Sequence, residues 1–377
     1  MRILHTSDWH LGAMDGETSL LEDQKYFIDG ICSIAAANSV DAVIIAGDVY
    51  DKSIASAEAI RLYSYAMTRL CSELKIPVLV IAGNHDSAER LSSCSDLLSS
   101  AGLHISGALE REIAKVSFAD TDIYLLPWIT EAKVKSVFPE RKDEIASLED
   151  AYRVVTEHIR GDFDSGKRHI IASHAFITDS ETSTSDRAAE IGSASQVPAS
   201  IFDGFDYVAL GHIHKPQRVS GNIRYSGTPM PYSFGKEEKQ EKGVVIVDTG
   251  DMSQTVVPLP LLHTRTTLTG TLDELLDYAG PEETRNGYVR LRITDQYVGL
   301  EALTEFKRVF PNLIDAQGKN FDGGNSEKQL TIEELENLEA NPVEIFRHFC
   351  REEMNTEPDE HLTKMFENAM KSAEEKE

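Results

Sequence analysis

The sequence predicts an α/β protein. Two mixed β-sheets would pack face to face with helices outside, a four-layer αββα sandwich, followed by a small α+β module and C-terminal helices. Three observations carry that expectation. In the first part of the chain, apolar strand-length runs alternate with amphipathic stretches, as happens when both faces of parallel strands are covered. Strands then predominate, an order that two sheets with outer helices accommodate. Finally, five short polar clusters occur in succession, nearly all directly after an apolar run, where open α/β sheets bind their ligands.

Arg2–Thr6 reads as the first strand. Gln24–Asn38 follows as a helix with Phe27, Ile31, Ile34 and Ala35 on one face. Asp41–Ala46 (DAVIIA) and Pro77–Ala82 (PVLVIA) are buried strands. Between them Ala55–Leu74 reads as a helix, with Ile60, Tyr63, Met67, Leu70 and Leu74 at helical spacing. Strands are then expected near Ala114–Val116, Asp122–Leu126, His169–Ala172, Tyr207–Leu210, Asn222–Ser226 and Gly243–Asp248. One helix, near Leu148–Ile159, interrupts them. The character changes near Pro258–Pro260. A strand (Thr264–Thr269), a helix (Leu272–Tyr278), a strand around Val289–Ile293, a helix through Leu303, Phe306 and Phe310, and a strand near Leu313–Asp315 form the small module. Gln317–Lys328 is polar and reads as a linker. Asn341-Pro342-x-Glu344 opens a helix, with Asn as cap and Pro in the first turn, and Pro358 opens another. The expected divisions are 1–262, 263–320, a linker 321–340, and C-terminal helices 341–377.

The bulk properties exclude several classes. No apolar run approaches the roughly 18 residues that span a bilayer, and the N-terminus enters a strand without a signal peptide's apolar core. A cytoplasmic protein with no membrane association is expected. Four cysteines lie far apart without a CxxC pair, which argues against a disulfide framework or thiolate zinc site. The net charge of -26 argues against a free-standing nucleic-acid binder.

The clusters are Asp8-x-His10, Gly47-Asp48-x-x-Asp51, Gly83-Asn84-His85-Asp86, Ser173-His174 and Gly211-His212-Ile213-His214. Their Asp, Asn and His side chains offer the oxygen and imidazole ligands that hold hard or borderline divalent metals. A two-metal site needs a shared oxygen ligand, and a carboxylate can supply both its oxygens. Neutral imidazoles and an amide complete the shells without making the site too negative for phosphate. Asp8 and His10, like His212 and His214, are two apart and would face the same way on extended backbone. Gly47, Gly83 and Gly211 stand where strands end, and positive φ is expected there.

This ordered set resembles the calcineurin-like metallophosphoesterase superfamily over roughly residues 1–235. Ser7–Gly12, Gly47–Asp51, Leu126-Pro127-Trp128 and Gly211–Gln217 resemble more narrowly its bacterial branch of nuclease subunits, which work with an SbcC-type coiled-coil ATPase in DNA repair. The resemblance implies one metal held by Asp8, His10, Asp48 and His214. A second would be held by Asp48, Asn84, His174 and His212, with Asp48 bridging. It implies two Mn²⁺ ions and His85 as the catalytic histidine, and places Asp51 where other relatives carry a histidine, so Asp51 is expected to orient His85. It further implies a capping domain in residues 263–320, a homodimer, and C-terminal helices that bind the ATPase. Double- and single-stranded DNA are the implied substrates, cut as exonuclease on duplex ends and as endonuclease on single strands or hairpins. No GxxxxGK[ST] occurs, so ATP dependence would come from the partner. Alternatives are a phosphatase or cyclic-nucleotide phosphodiesterase of the same superfamily, or a non-catalytic scaffold. Asp86 in place of Glu and Lys52 after Asp51 lean against the phosphatase, and the complete ligand set leans against the scaffold.

Overall fold

The computed structural model describes residues 1–178, 180–183, 185–186, 196–295, 298, 300–318 and 362–366. Two six-stranded sheets dominate it. The first runs in the order Ser253–Pro258, Gly243–Asp248, Arg2–Thr6, Ala42–Ala46, Val78–Ile81, Leu103–Ser106. Its last four strands are parallel, and Gly243–Asp248 is antiparallel to both neighbours. The second has the order Gln217–Arg218, Ile223–Tyr225, Tyr207–Gly211, Arg168–His174, Thr121–Leu126, Lys115–Ser117, with four parallel inner strands and an antiparallel strand at each edge.

Strand alternation makes the sandwich. Ala42, Ile44 and Ala46 face the second sheet, where they meet Ile170, Ala172 and Ala209 in one dry core. Val43 and Ile45 face the other way, with Phe27, Ile31 and Ala35 of the helix Leu21–Ala37 and Ala59, Leu62 and Ala66 of the helix Ala57–Met67. On the far side, Ile171, Val208 and Leu210 join Tyr152, Val155 and Ile159 of the helix Leu148–Arg160. The layers are therefore helix, sheet, sheet, helix, the expected four. Each fully buried Ile or Leu contributes about 1.5–3 kcal/mol, so the middle layer fixes how the two sets of strand ends meet.

Local chemistry sets the helix ends. Ser56 caps Ala57–Met67 through the Ala59 N–H at 3.1 Å. Ser147 and Asp150 form a reciprocal capping box at the start of Leu148–Arg160.

Several details differ from the sequence reading. The expected helix over 55–74 is α-helical only to Met67 and continues as a wider π-helical segment, Thr68–Glu73. Ile60, at helical spacing with Tyr63 and Met67, is 51% exposed. The strands Leu103–Ser106 and Ser253–Pro258 and the helix Glu131–Val137 were not expected. Both strands are sheet edges, where one short LHIS run and one half-exposed SQTVVP run show little hydrophobic pattern.

The chain divides into two compact units. One comprises Met1–Leu268, Ala279–Arg290 and Lys307–Asp315, the other Thr269–Tyr278, Leu291–Phe306 and the described part of 316–377. Arg265–Gly270, Tyr288–Ile293 and Leu313–Gln317 form a three-stranded sheet in that order. With the helices Leu272–Leu276 and Leu300–Val309 they make up the small α+β part. Residues 362–366 are helical; the linker and the remainder of the expected C-terminal helices lie outside the described residues. Among the described residues no helix is long and apolar enough to cross a membrane.

Candidate active site

The ends of the parallel strands in both sheets bring the clusters together beside a pocket of about 240 Å³, lined by His10, Asp48, Asp51, His85, His212 and His214 among others, with His174 reaching Asn84 and Asp48 just beneath it. The backbone there is not extended. Asp8 (φ 53°), His10 (φ 43°), Asp48 (φ 49°) and His212 (φ 103°) all have positive φ, uncommon for residues with a Cβ. The two-residue spacing therefore works through turned, not extended, backbone. Cross-bonds hold the turns: the N–H of Asp8 donates to the Gly47 carbonyl and that of His10 to the Asp48 carbonyl, each at 3.0 Å.

Of the three glycines, only Gly47 has positive φ (91°). Gly83 is needed for close approach instead, since a Cβ there would lie 2.1 Å from Asp48 Oδ1. The Asp86 carboxylate accepts from the N–H groups of Val49 (3.1 Å), Tyr50 (2.9 Å) and Gly83 (2.9 Å), tying the second cluster to the third.

Asp8, His10, Asp48, His174, His212 and His214 are all buried, and Asn84 and His85 are half-buried. His174 donates from Nδ1 to the Ala46 carbonyl at 2.9 Å, which turns Nε2 toward Asn84 Oδ1 (3.0 Å) and Asp48 Oδ2 (3.4 Å). His212 Nδ1 meets the same Asn84 oxygen at 3.1 Å. The Nε2 atoms of His10 and His214 face each other at 3.1 Å. Among the described residues, three groups have ligand atoms within 4.8 Å of one another and could hold a metal ion: Asp8, His10 and His214; Asp8, Asp48 and His174; and His10, Asp51 and His85. Convergence of imidazole nitrogens fits a divalent cation, and so does His10 Nδ1, which is buried without a hydrogen-bond partner.

The electrostatics divide by residue. Burial would raise Asp48, yet the charges of His174, His10 and His85 hold it well below the carboxylate range. Burial pushes Asp8 up to about 7 against the pull of His174. Burial also lowers His212 to about 3 and His214 to about 4, so both rings are neutral and ready to ligate. His174 is the exception: burial opposes its charge, but Asp48 lifts it to about 9.

His85 donates from Nδ1 to the backbone carbonyl of Asp51 at 2.9 Å, and its own N–H donates to Asp48 Oδ1 at 2.9 Å. Its Nε2 lies 4.0 Å from Asp48 Oδ2. Asp51 thus holds His85 through main chain, and its carboxylate lies near both His10 and His85.

Sequence reasoning missed several residues. Trp128 stacks on His212 with ring centroids 5.3 Å apart. Tyr232 sets its ring edge on His10 and donates to the Trp9 carbonyl. Ser185, Asp186, Glu237 and Lys242 surround His214. In sequence Trp128 stands out only as part of the Leu-Pro-Trp motif. The others lie in polar loops without periodicity, and Glu237 and Lys242 belong to a charge run (KEEKQEK) that reads as solvated surface.

Residues 1–216 match the model of the calcineurin-like phosphoesterase family, and residues 260–354 match that of the type 5 capsule protein repressor C-terminal domain. Over 336 residues the chain is 31% identical to the D subunit of the SbcCD nuclease of Staphylococcus epidermidis, covering 88% of this chain and 89% of that protein. Among solved structures, a dimetal phosphatase from Danio rerio covers 69% of this chain and 99% of its own, at 13% identity and a TM-score of 0.41. A novel archaeal phosphodiesterase covers 69% of this chain and 100% of its own, at 13% identity and a TM-score of 0.34. With the five clusters, the sandwich and a chain-long relative in agreement, this chain belongs to the calcineurin-like phosphoesterase family, in the branch of the SbcD nuclease subunits.

Proposed function

We propose that this protein is the nuclease subunit of an ATP-dependent DNA-repair complex, a Mn²⁺-dependent enzyme that hydrolyses phosphodiester bonds with two metal ions. The observation that carries the reading is the convergence of buried carboxylates and imidazoles from both sheets, with the Asn84 amide oxygen bonded to two of the imidazoles. The name of the relative, a nuclease subunit, supports a nucleic acid as substrate, and the choice of DNA follows the sequence resemblance.

In this reading Asp8, His10, Asp48 and His214 hold one ion and Asp48, Asn84, His174 and His212 the other. The ions supply Lewis-acid activation of water and of the scissile phosphate. His85 keeps its Nδ1 proton on the Asp51 carbonyl, so Nε2 is the atom that stabilises the reacting phosphate or hands a proton to the leaving oxygen. Asp86 holds the two loops that present Asp48 and His85.

The activities are exonuclease on duplex ends and endonuclease on single strands or hairpins, performed by a cytoplasmic homodimer on the nucleoid. With a net charge of -26, attraction to DNA comes from the bound cations and from the partner. Residues 263–320 act as a capping domain, and residues 341–377 bind an SbcC-type ATPase.

The test uses purified protein with Mn²⁺ on labelled duplex and hairpin DNA, beside a phosphopeptide and a cyclic nucleotide. DNA cleavage that disappears in Asp48→Ala is expected. Turnover of the phosphopeptide or cyclic nucleotide alone would replace the nuclease with another phosphoesterase. No turnover of any of them, with or without the ATPase, would leave a scaffold.

A further inference from the structure

Beside His214 runs a chain of polar groups that the hydrolysis scheme does not use, from the half-buried Ser185 at the pocket wall to the enclosed Glu237 and Lys242. His214 Nδ1 is 2.5 Å from Ser185 Oγ, and Ser185 Oγ in turn bonds Glu237 Oε1. Glu237 is wholly buried (0% exposed) although it sits in a run of charged residues. Its carboxylate also receives the N–H of Ser185 (3.2 Å), the hydroxyl of Ser233 (2.9 Å) and the N–H of Tyr232 (2.9 Å). Lys242, equally enclosed, lies 3.6 Å from Oε2 and donates to the His214 carbonyl at 3.0 Å.

The direction of the protons follows from the end of the chain. A carboxylate can only accept, so the Ser185 hydroxyl donates to Glu237, and Ser185 Oγ is left to accept the Nδ1–H of His214. Asp186 is a weaker candidate for that role: its Oδ1 takes the His214 N–H at 2.9 Å and lies 3.5 Å from Nδ1.

We propose that Glu237, acting through Ser185, is a positioning residue for His214, fixing the ring with its proton on Nδ1 and its bare Nε2 toward His10 and a divalent cation. Lys242 braces the same residue from its main chain. The inference rests on the reading of His214 as a metal ligand. It predicts that Ser185, Glu237 and Lys242 tune one metal site and not the other.

Glu237→Gln leaves Lys242 buried without its counter-charge and risks unfolding, so Ser185→Ala carries the test. Mn²⁺ titration by calorimetry should show one of two sites weakened by about 10–100-fold and the other unchanged. In metal-free protein the ¹⁵N signals of the His214 ring should leave the pure Nδ1–H pattern. Ser185→Thr, which keeps the hydroxyl, should restore both readouts. Unchanged isotherm and ring signals in Ser185→Ala would overturn the proposal, and so would equal weakening of both sites, which marks a purely structural loop. His214→Ala separates the two levels. If that variant binds Mn²⁺ like the wild type, the ligand assignment itself fails; if it loses a site while Ser185→Ala does not, only the relay fails.

Discussion

Strand ends of the first sheet bring Asp8, His10, Asp48, Asn84 and His85 together, and those of the second bring His174, His212 and His214. Among these proposed ligands and catalyst, the first sheet carries the acids and the amide and the second contributes imidazoles. A charged tie between the two sets runs from Asp48 Oδ2 to His174 Nε2 at 3.4 Å, buried on both sides. Neither sheet holds the whole of the proposed ligand set, so in that proposal metal binding depends on the Ile44–Ala172 layer that joins them. The difference also separates two kinds of failure: loss of a donor on one side, or loss of the alignment between sides.

Asp48→Ala attacks the comparison most directly, because it removes the acid that faces His174. We expect DNA cleavage to fall by about a thousandfold or more, since several kcal/mol of charge stabilisation is lost, with the fold intact by circular dichroism. Leu79→Ala attacks the alignment instead. Leu79 is fully buried between the sheets, and its truncation should cost about 2–5 kcal/mol in chemical denaturation. Leu97→Ala, at a site 73% exposed, should stay within about 0.5 kcal/mol.

His174 sharpens the comparison through pH. Its pKa of about 9 in the metal-free protein means that a cation must displace a proton from it. Metal uptake should therefore release a proton below that pH, and affinity should rise by up to about tenfold per unit as pH approaches 9. An affinity flat between pH 7 and 9 by calorimetry would contradict the pairing across the sheets. Asp51→Asn should have a far smaller effect on turnover than Asp48→Ala, a loss within about tenfold in kcat, because the bond to His85 comes from the backbone carbonyl. A larger loss would show that the Asp51 carboxylate acts on His85 or His10 directly.

Most of this architecture is legible in the chain. DAVIIA and PVLVIA read as buried strands because a parallel strand covered on both faces is apolar throughout, and the clusters after them point to the site. The edge strand Ser253–Pro258 was not legible, since its outward residues face solvent and the alternation is lost. Glu237 and Lys242 were hidden by their neighbours in KEEKQEK, because tertiary packing alone decides which members of a charge run are enclosed. The turned backbone at Asp8, His10, Asp48 and His212 was equally invisible. Nothing in a DxH or GHxH spacing distinguishes an extended strand end from a left-handed turn.

That turned backbone has a consequence for anyone evolving or engineering the protein. Each left-handed non-glycine residue costs on the order of 1–3 kcal/mol, sustained only by the surrounding structure. Replacing one with glycine would relieve the strain and delete a donor in a single step. A library screened for thermal tolerance alone would enrich inert proteins at these positions, so selection for robustness has to be coupled to selection for turnover.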